Sequence, residues 1–214
     1  MNTDFSEIRR EYLHASLSRV DMNADPIKQF EEWLQQAVHG GVDLPNAAAL
    51  ATASKDGLPT VRYVLLKGIS AEGLVFYTHA SSVKGRQLAE NPHAAMVVYW
   101  SRMDRQIRIE GTVDRVTDEE ADEYFASRPR ASRISAWVAP QSSIIENREY
   151  MEERIRLLER EFEGGDVPRP EDWAGYRISP ETIEFWQGRA DRLHDRFLYR
   201  RAEGGNWAIQ RLAP

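Results

Sequence analysis

Residues 47–79 read AAALATASKDGLPTVRYVLLKGISAEGLVFYTH. Three apolar runs, AAALATAS, TVRYVLLK and EGLVFYTH, are separated by short turns at Asp56-Gly57 and Glu72-Gly73. An Asp-Gly pair between apolar runs is a hairpin signal. Connections this short cannot hold the crossover that parallel strands need, so the stretch predicts an antiparallel meander. The first run reads as buried. Working outward, AAMVVYWS predicts a fourth strand. RQIRIEGTVDRV predicts a half-buried one, because Ile107, Ile109, Gly111 and Val113 alternate with polar residues. From Trp173 the pieces WAGYRIS, TIEFWQG, HDRFLYRR and WAIQRLA read as four more strands.

Helical patterns flank and interrupt the strands. DPIKQFEEWLQQAVHGG has Asp25 to cap it and Pro26 at the first helical position. Ile27, Phe30, Trp33, Leu34 and Ala37 then form an apolar stripe, and Gly40-Gly41 ends it. Ser82 predicts the cap of a short helix stopped by Pro92. Thr117 predicts the cap of TDEEADEYFASR, whose acids sit in its first turn. ASRISAWVA reads as a further helical piece and NREYMEERIRLLEREFEG as a long charged helix. Strands on both sides of a helical insertion are accommodated most simply by one closed or nearly closed antiparallel barrel with helices outside, since closure removes exposed edges. The expected class is α+β. No break in composition divides the chain, so a single domain over residues 1–214 is expected.

The 214 residues include no cysteine, which excludes a disulfide scaffold, a thiolate metal site and a cysteine nucleophile. Lys plus Arg total 28 against 34 Asp plus Glu, a net charge of −6, which argues against a nucleic-acid partner. No apolar run reaches the length of a membrane span. The start, MNTDFSEIRREY, lacks the apolar centre of a signal peptide, so a cytoplasmic protein is expected. His14, His39, His79, His93 and His194 show no metal-ligand spacing, and no metal is expected. Nucleophile elbows, Walker loops and dinucleotide fingerprints are missing, which leaves redox or transfer chemistry to an organic cofactor.

Four basic clusters stand out. Arg62 and Lys67 bracket an apolar strand with opposite parity, either as solvent charges or as ligands on two faces. YTHASSVKGR sets hydroxyls and Lys84 at a helix start, read as an anion site or as a plain serine cap. Tyr124 and Arg128 are four apart on a helix, and Ser132 could cap the next. That reads as a phosphate pocket or as an exposed Arg-rich turn. In FWQGRADRLHDRF, residues Arg192, His194 and Arg196 share parity, so an extended chain would show all three on one face beside Trp186. The other reading is a solvated hairpin tip.

The motifs RYVLLK, VFYTH, YFASRPRASRISAWVAPQSS and EFWQGRADRLHDRFLY together resemble the pyridoxine (pyridoxamine) 5′-phosphate oxidases, from RREY at Arg9 to the terminal RLAP. The resemblance implies an FMN-binding split barrel and a homodimer with FMN at the subunit interface. For FMN it implies Arg62, Val64, Leu65, Lys67, Tyr77, Thr78, Lys84, Gln106, Gln141, Ser142, Trp186 and Arg196. For the substrate phosphate it implies Lys67, Tyr124, Arg128 and Ser132. Arg192 and His194 match residues facing the pyridine ring and its reacting carbon. Residues 1–20 match a mobile N-terminal segment in which Arg9 and Tyr12 reach the substrate, and residues 174–214 match strands that complete the site. The family often has Arg-Lys where this chain has Val83-Lys84, which implies one cation fewer for the FMN phosphate. The activity implied is oxidation of pyridoxine 5′-phosphate and pyridoxamine 5′-phosphate to pyridoxal 5′-phosphate. In it a hydride passes from C4′ to flavin N5 and O2 is reduced to H2O2. A flavin oxidase of phenazine-biosynthesis type and a non-catalytic flavin-binding protein are the alternatives.

Overall fold

The computed structural model describes residues 16–214. Arg9 and Tyr12, and most of the 1–20 segment, lie outside them. Helix α1 (Pro26–His39) begins as its sequence predicts: Asp25 accepts from the Ile27 N–H at 2.9 Å, with Pro26 in the first turn. The first strands follow as β1 (Ala47–Ala53), β2 (Pro59–Leu65), β3 (Gly68–Ser70) and β4 (Gly73–His79). Helix α2 (Val83–Glu90) leads to β5 (His93–Trp100) and β6 (Arg105–Arg115). Helices α3 (Asp118–Ser127), α4 (Arg130–Ser135) and α5 (Arg148–Glu161) form the insertion, before β7 (Trp173–Gln187), β8 (Asp195–Arg201) and β9 (Trp207–Leu212). The strands belong to one sheet in the order β2-β1-β5-β6-β7-β4-β3, with β8 paired to β7 and β9 to β8.

Three details differ from expectation. β1 is half-buried, its residues alternating between partly covered and buried, instead of buried throughout. The short β3, paired antiparallel with β4, carries too few residues for a periodic signal. WAGYRIS and TIEFWQG form one strand, β7, rather than two. Ser179-Pro180 looks like a break, yet β4 pairs with residues up to Ile178 and β8 with residues from Thr182. Pro180 thus falls between the two registers, where its missing N–H costs neither ladder a bond.

The chain packs as two compact groups. Of the described residues, the first comprises 16–49, Ala95–Gly111 and Pro180–Pro214; the second comprises Leu50–Ala94 and Thr112–Ser179. In the first, Trp33 of α1 meets Phe185 edge-on at 5.2 Å, Phe185 meets Tyr199 at 5.4 Å, and the Arg105 guanidinium lies 4.3 Å over Trp33. In the second, Phe76 stacks on its cross-strand partner Tyr176 at 5.7 Å. Ile134, Val138, Leu158 and Val167 form a separate small core beneath α4 and α5.

The second group also holds a buried cap. Ser82 is fully buried, accepts from the Gly85 N–H at 3.2 Å and donates to the His79 carbonyl at 2.7 Å. Ser82→Ala is expected to cost about 1–2 kcal/mol, at the upper end for a lost cap. A shift of the urea midpoint at unchanged slope would register it.

Candidate functional site

A cavity of about 530 Å³ opens in the second group. Its walls include Val64, Leu65 and Lys67 at the end of β2, Tyr77 and Thr78 of β4, and Lys84 of α2. The insertion adds Tyr124, Arg128, Ser132 and Gln141. These ten predicted site residues therefore converge. Three cations, Lys67, Lys84 and Arg128, face the space, and among the described residues no carboxylate lines it. In a chain of net charge −6, that is a local inversion of sign.

The aromatic floor depends on one missing side chain. Tyr77 sits opposite Gly175 across the β4–β7 ladder. A Cβ on Gly175 would come within 2.6 Å of the Tyr77 ring and 2.4 Å of Val116. Only glycine lets Tyr77 lie flat there, nearly parallel to Tyr124 at 4.1 Å and to Trp173 at 5.0 Å. Burial pushes the Tyr77 phenol up to about 12, so it stays neutral.

Lys84 is 8% exposed. Its ammonium donates to the Thr78 hydroxyl at 3.1 Å and to Gln141 Oε1 at 2.9 Å, and the Thr78 hydroxyl donates to the same amide oxygen at 2.6 Å. Among the described residues no carboxylate neutralises it; burial first, and then Arg62, bring it down to about 8. Arg128 caps α3 with extended backbone, its guanidinium 5.0 Å from the Trp173 ring. Its Nη1 is buried with no hydrogen-bond partner among the described residues. Such an orphan cationic donor costs free energy until an anion meets it.

The lowered pKa of Lys84 makes stability depend on pH. Below pH 8 the group is charged in both folded and unfolded chains. Between about 8 and its ordinary 10.5 the unfolded chain holds a proton that the folded chain has released, so stability rises with pH across that window. Ligand-free wild type is therefore expected to gain stability from pH 8 to 10 relative to Lys84→Met, read from paired urea titrations. Anion binding, in contrast, should weaken over the same range.

Other predicted residues lie elsewhere. The Arg62 guanidinium donates to the Thr52 hydroxyl at 2.6 Å and the Leu50 carbonyl at 3.2 Å, and also contacts Thr60. Both threonine hydroxyls donate to Gln87, at 2.6 and 2.7 Å. Ser142, left-handed at φ 72, does not line the cavity. Ser132 does not cap α4; it lies inside the helix, and Pro129 holds the cap position. Proline's fixed φ starts the helix without help from a side chain.

Gln106, Trp186, Arg192, His194 and Arg196 belong to the first group. The expectation of one extended face for Arg192, His194 and Arg196 is not met. Ala190–Arg192 form a 3-10 turn, with Asp191 and Arg192 left-handed at φ 54 and 59. The Asp-Arg tip thus turns, and only from Asp195 does the chain run as strand. His194 lies 4.6 Å from the Trp186 ring and accepts through Nδ1 from the Arg189 N–H at 3.1 Å, which assigns the proton of the neutral ring to Nε2. Burial first, then Arg192 and Arg196, hold His194 below its ordinary value. Arg196 donates to Glu184 at 2.7 Å and to the Ala213 carbonyl at 2.8 Å.

Six lining residues were not predicted, Tyr63, His79, Pro129, Ser135, Ala136 and Trp173, and two of them carry weight here. Trp173 follows a proline-rich loop, and His79 follows Thr78 at the end of β4; both line the cavity. For His79 the available signal was its adjacency to Thr78 in VFYTH; Trp173 joins the site only through the β4–β7 pairing.

An antiparallel sheet with surrounding helices defines a split-barrel protein, and its cavity has an aromatic floor, three cations and, among the described residues, no lining carboxylate. The comparisons agree. Residues 34–160 match the family model described as pyridoxamine 5′-phosphate oxidase, and residues 173–214 match that of the pyridoxine 5′-phosphate oxidase C-terminal dimerisation region. The chain is similar to the pyridoxine/pyridoxamine 5′-phosphate oxidase of Gloeothece citriformis (strain PCC 7424), 48% identical over 214 residues and covering 100% of both chains. Among solved structures, PhzG from Burkholderia lata 383 in complex with tetrahydrophenazine-1-carboxylic acid is 33% identical, at a TM-score of 0.86 over 91% of this chain and 95% of that one. A pyridoxamine 5′-phosphate oxidase-related, FMN binding protein from Nostoc punctiforme PCC 73102 shares the fold, with 18% identity and a TM-score of 0.71 over 90% of this chain and 100% of that one. The chain belongs to the pyridoxine/pyridoxamine 5′-phosphate oxidase family.

Proposed function

We propose that this protein is an FMN-dependent oxidase that converts pyridoxine 5′-phosphate and pyridoxamine 5′-phosphate to pyridoxal 5′-phosphate. The observation that carries the reading is the cavity with three cations, no lining carboxylate and the orphaned Arg128 Nη1. A phosphate ester supplies the missing acceptors. The donor set also suits FMN: Lys84, Thr78 and Gln141 offer an ammonium, a hydroxyl and an amide, with Val64, Leu65 and Tyr77 as apolar and ring contacts. When bound, FMN supplies a two-electron acceptor that oxygen regenerates. The net reaction turns the alcohol and O2 into aldehyde and H2O2; the amine additionally consumes water and releases ammonia.

The chain's own part is binding and orientation. Lys67, Tyr124, Arg128 and Ser132 grip the substrate phosphate, which fixes the ring and converts an encounter into a positioned reaction. The family pattern assigns Arg192 and His194 to the ring and its reacting carbon, Trp186, Arg196, Gln106, Arg62 and Ser142 to FMN, and Arg9 and Tyr12 to substrate. The likeness to PhzG, solved in complex with tetrahydrophenazine-1-carboxylic acid, favours a second reading, a flavin oxidase of phenazine-biosynthesis type. The phosphate grip tells against it, since tetrahydrophenazine-1-carboxylic acid carries no phosphate. The deciding experiment is to purify the protein, record its flavin spectrum, and follow peroxide release with each phosphorylated vitamer. A colourless protein that cannot be loaded with FMN and leaves both vitamers unchanged would refute the proposal.

A homodimer accompanies this reading, supported by the match to a dimerisation region. Val61 and Tyr63 on β2 are 69% and 78% exposed, an apolar strip out of place on a free surface. Val61→Glu is expected to shift the dimer toward monomer, visible by light scattering as a halved mass at micromolar concentration.

A further inference from the structure

We propose that His79, aligned by Asp172, is an additional phosphate ligand of the cavity and binds as the imidazolium, so that the phosphate ester enters together with a proton. The inference rests on the reading that a phosphate ester occupies this cavity.

His79 closes β4, and its side chain is 12% exposed. It lines the cavity shared by Lys84 and Arg128. Its Nδ1 lies 3.2 Å from Asp172 Oδ2. Asp172 is itself held: the Ser81 N–H donates to Oδ1 at 2.8 Å, the Ser81 hydroxyl donates to Oδ2 at 2.6 Å, and the Asp172 carbonyl accepts from the Ala80 N–H at 2.7 Å. A carboxylate fixed against Nδ1 keeps the proton of the neutral ring on that nitrogen. Nε2 is then a bare lone pair, which repels a phosphate oxygen. One added proton turns Nε2 into a charged donor, the partner a phosphate accepts best.

The charges facing the imidazole are Asp172, from the turn before β7, Lys84 from α2 and Arg128 from the end of α3. Asp172 favours the imidazolium; the two cations oppose it. Burial, the largest influence, adds to that opposition and holds the free group below its ordinary value, so it is neutral near pH 7. An entering dianion reverses the local balance and draws the proton in. Asp172 touches no ligand in this scheme; it is a positioning residue.

Calorimetry at pH 7 in two buffers of different ionisation enthalpy counts protons taken up on binding. Two arms separate the possible sources of phosphate: FMN added to FMN-free full-length protein, and pyridoxal 5′-phosphate added to the FMN-loaded protein. Riboflavin and pyridoxal serve as phosphate-free controls. The expected result is uptake of about one proton more in wild type than in His79→Asn, in the arm whose phosphate reaches His79. Affinity in that arm should fall about tenfold in the variant. His79→Gln should repeat the loss, and Asp172→Asn should reduce the uptake while ligand still binds, which a purely structural role would not produce. Equal proton counts in wild type and both His79 variants, with binding intact in both arms, would overturn the inference and leave the proposed function standing. If neither phosphate ester binds wild type, both fall together.

Discussion

Arg128→Ala is expected to lower kcat/KM for pyridoxine 5′-phosphate by about 10²- to 10³-fold, the equivalent of roughly 3–4 kcal/mol. The side chain is placed for this cost. Its Nη1 is already desolvated and unpartnered among the described residues, so the price of burying the charge is met before the ligand arrives. On the proposed function, a phosphate ester supplies that nitrogen with a charge-assisted contact that alanine cannot make. Both kcat and KM should suffer, because the grip orients the ring as well as holding it. Arg128→Lys restores the charge without the fork and should recover only part of the loss. Steady-state peroxide assays with the phosphorylated vitamer and with free pyridoxine separate the effects: the defect should nearly vanish for the substrate without phosphate. An unchanged KM for the ester would remove Arg128 from the phosphate site.

Trp173→Ala should have the largest effect on stability, about 3–5 kcal/mol, as for other buried aromatic truncations. Trp173 is 5% exposed. It stacks near-parallel to Tyr77, meets Phe125 edge-on at 5.0 Å and lies under the Arg128 guanidinium. Removing it opens a void beneath the cavity floor and frees two rings at once. Chemical unfolding of ligand-free protein should show a lower midpoint, and Trp173→Phe should regain over half of the loss. A cost under about 1 kcal/mol would mean that the floor repacks and does not depend on this ring.

Strands β1, β2 and β4 were legible because Asp-Gly and Glu-Gly pairs mark their turns, and β6 because its face alternates, whereas the three residues of β3 were too few to read. The caps at Asp25, Ser82 and Thr117 were legible because an oxygen-bearing side chain stood where an orphan N–H needs one. β7 was misread because Pro180, a break signal taken alone, sits where the strand changes partners. Ser132 was misread for a related reason: Pro129 starts α4 three residues earlier. The cavity residues were found through local motifs, whereas Trp173 and His79 depend on the β4–β7 register, in which they face each other across a gap of 94 positions in sequence. Such long-range pairing leaves no periodic trace. Likewise, the shared parity of Arg192, His194 and Arg196 assumed extended chain where the backbone winds left-handed.

That winding at Asp191 and Arg192 has a consequence for anyone seeking a hardier version of the protein. Two successive non-glycine residues with positive φ each sacrifice about 1–2 kcal/mol of torsional energy. A screen for heat tolerance should therefore find Asp191→Gly early, since glycine accepts this geometry without penalty. On the proposed function, in which Arg192 faces the substrate ring, the same exchange loosens the turn that carries it. Heat-selected clones bearing it should survive longer and turn over more slowly, so selection at this loop needs a catalytic screen beside the thermal one.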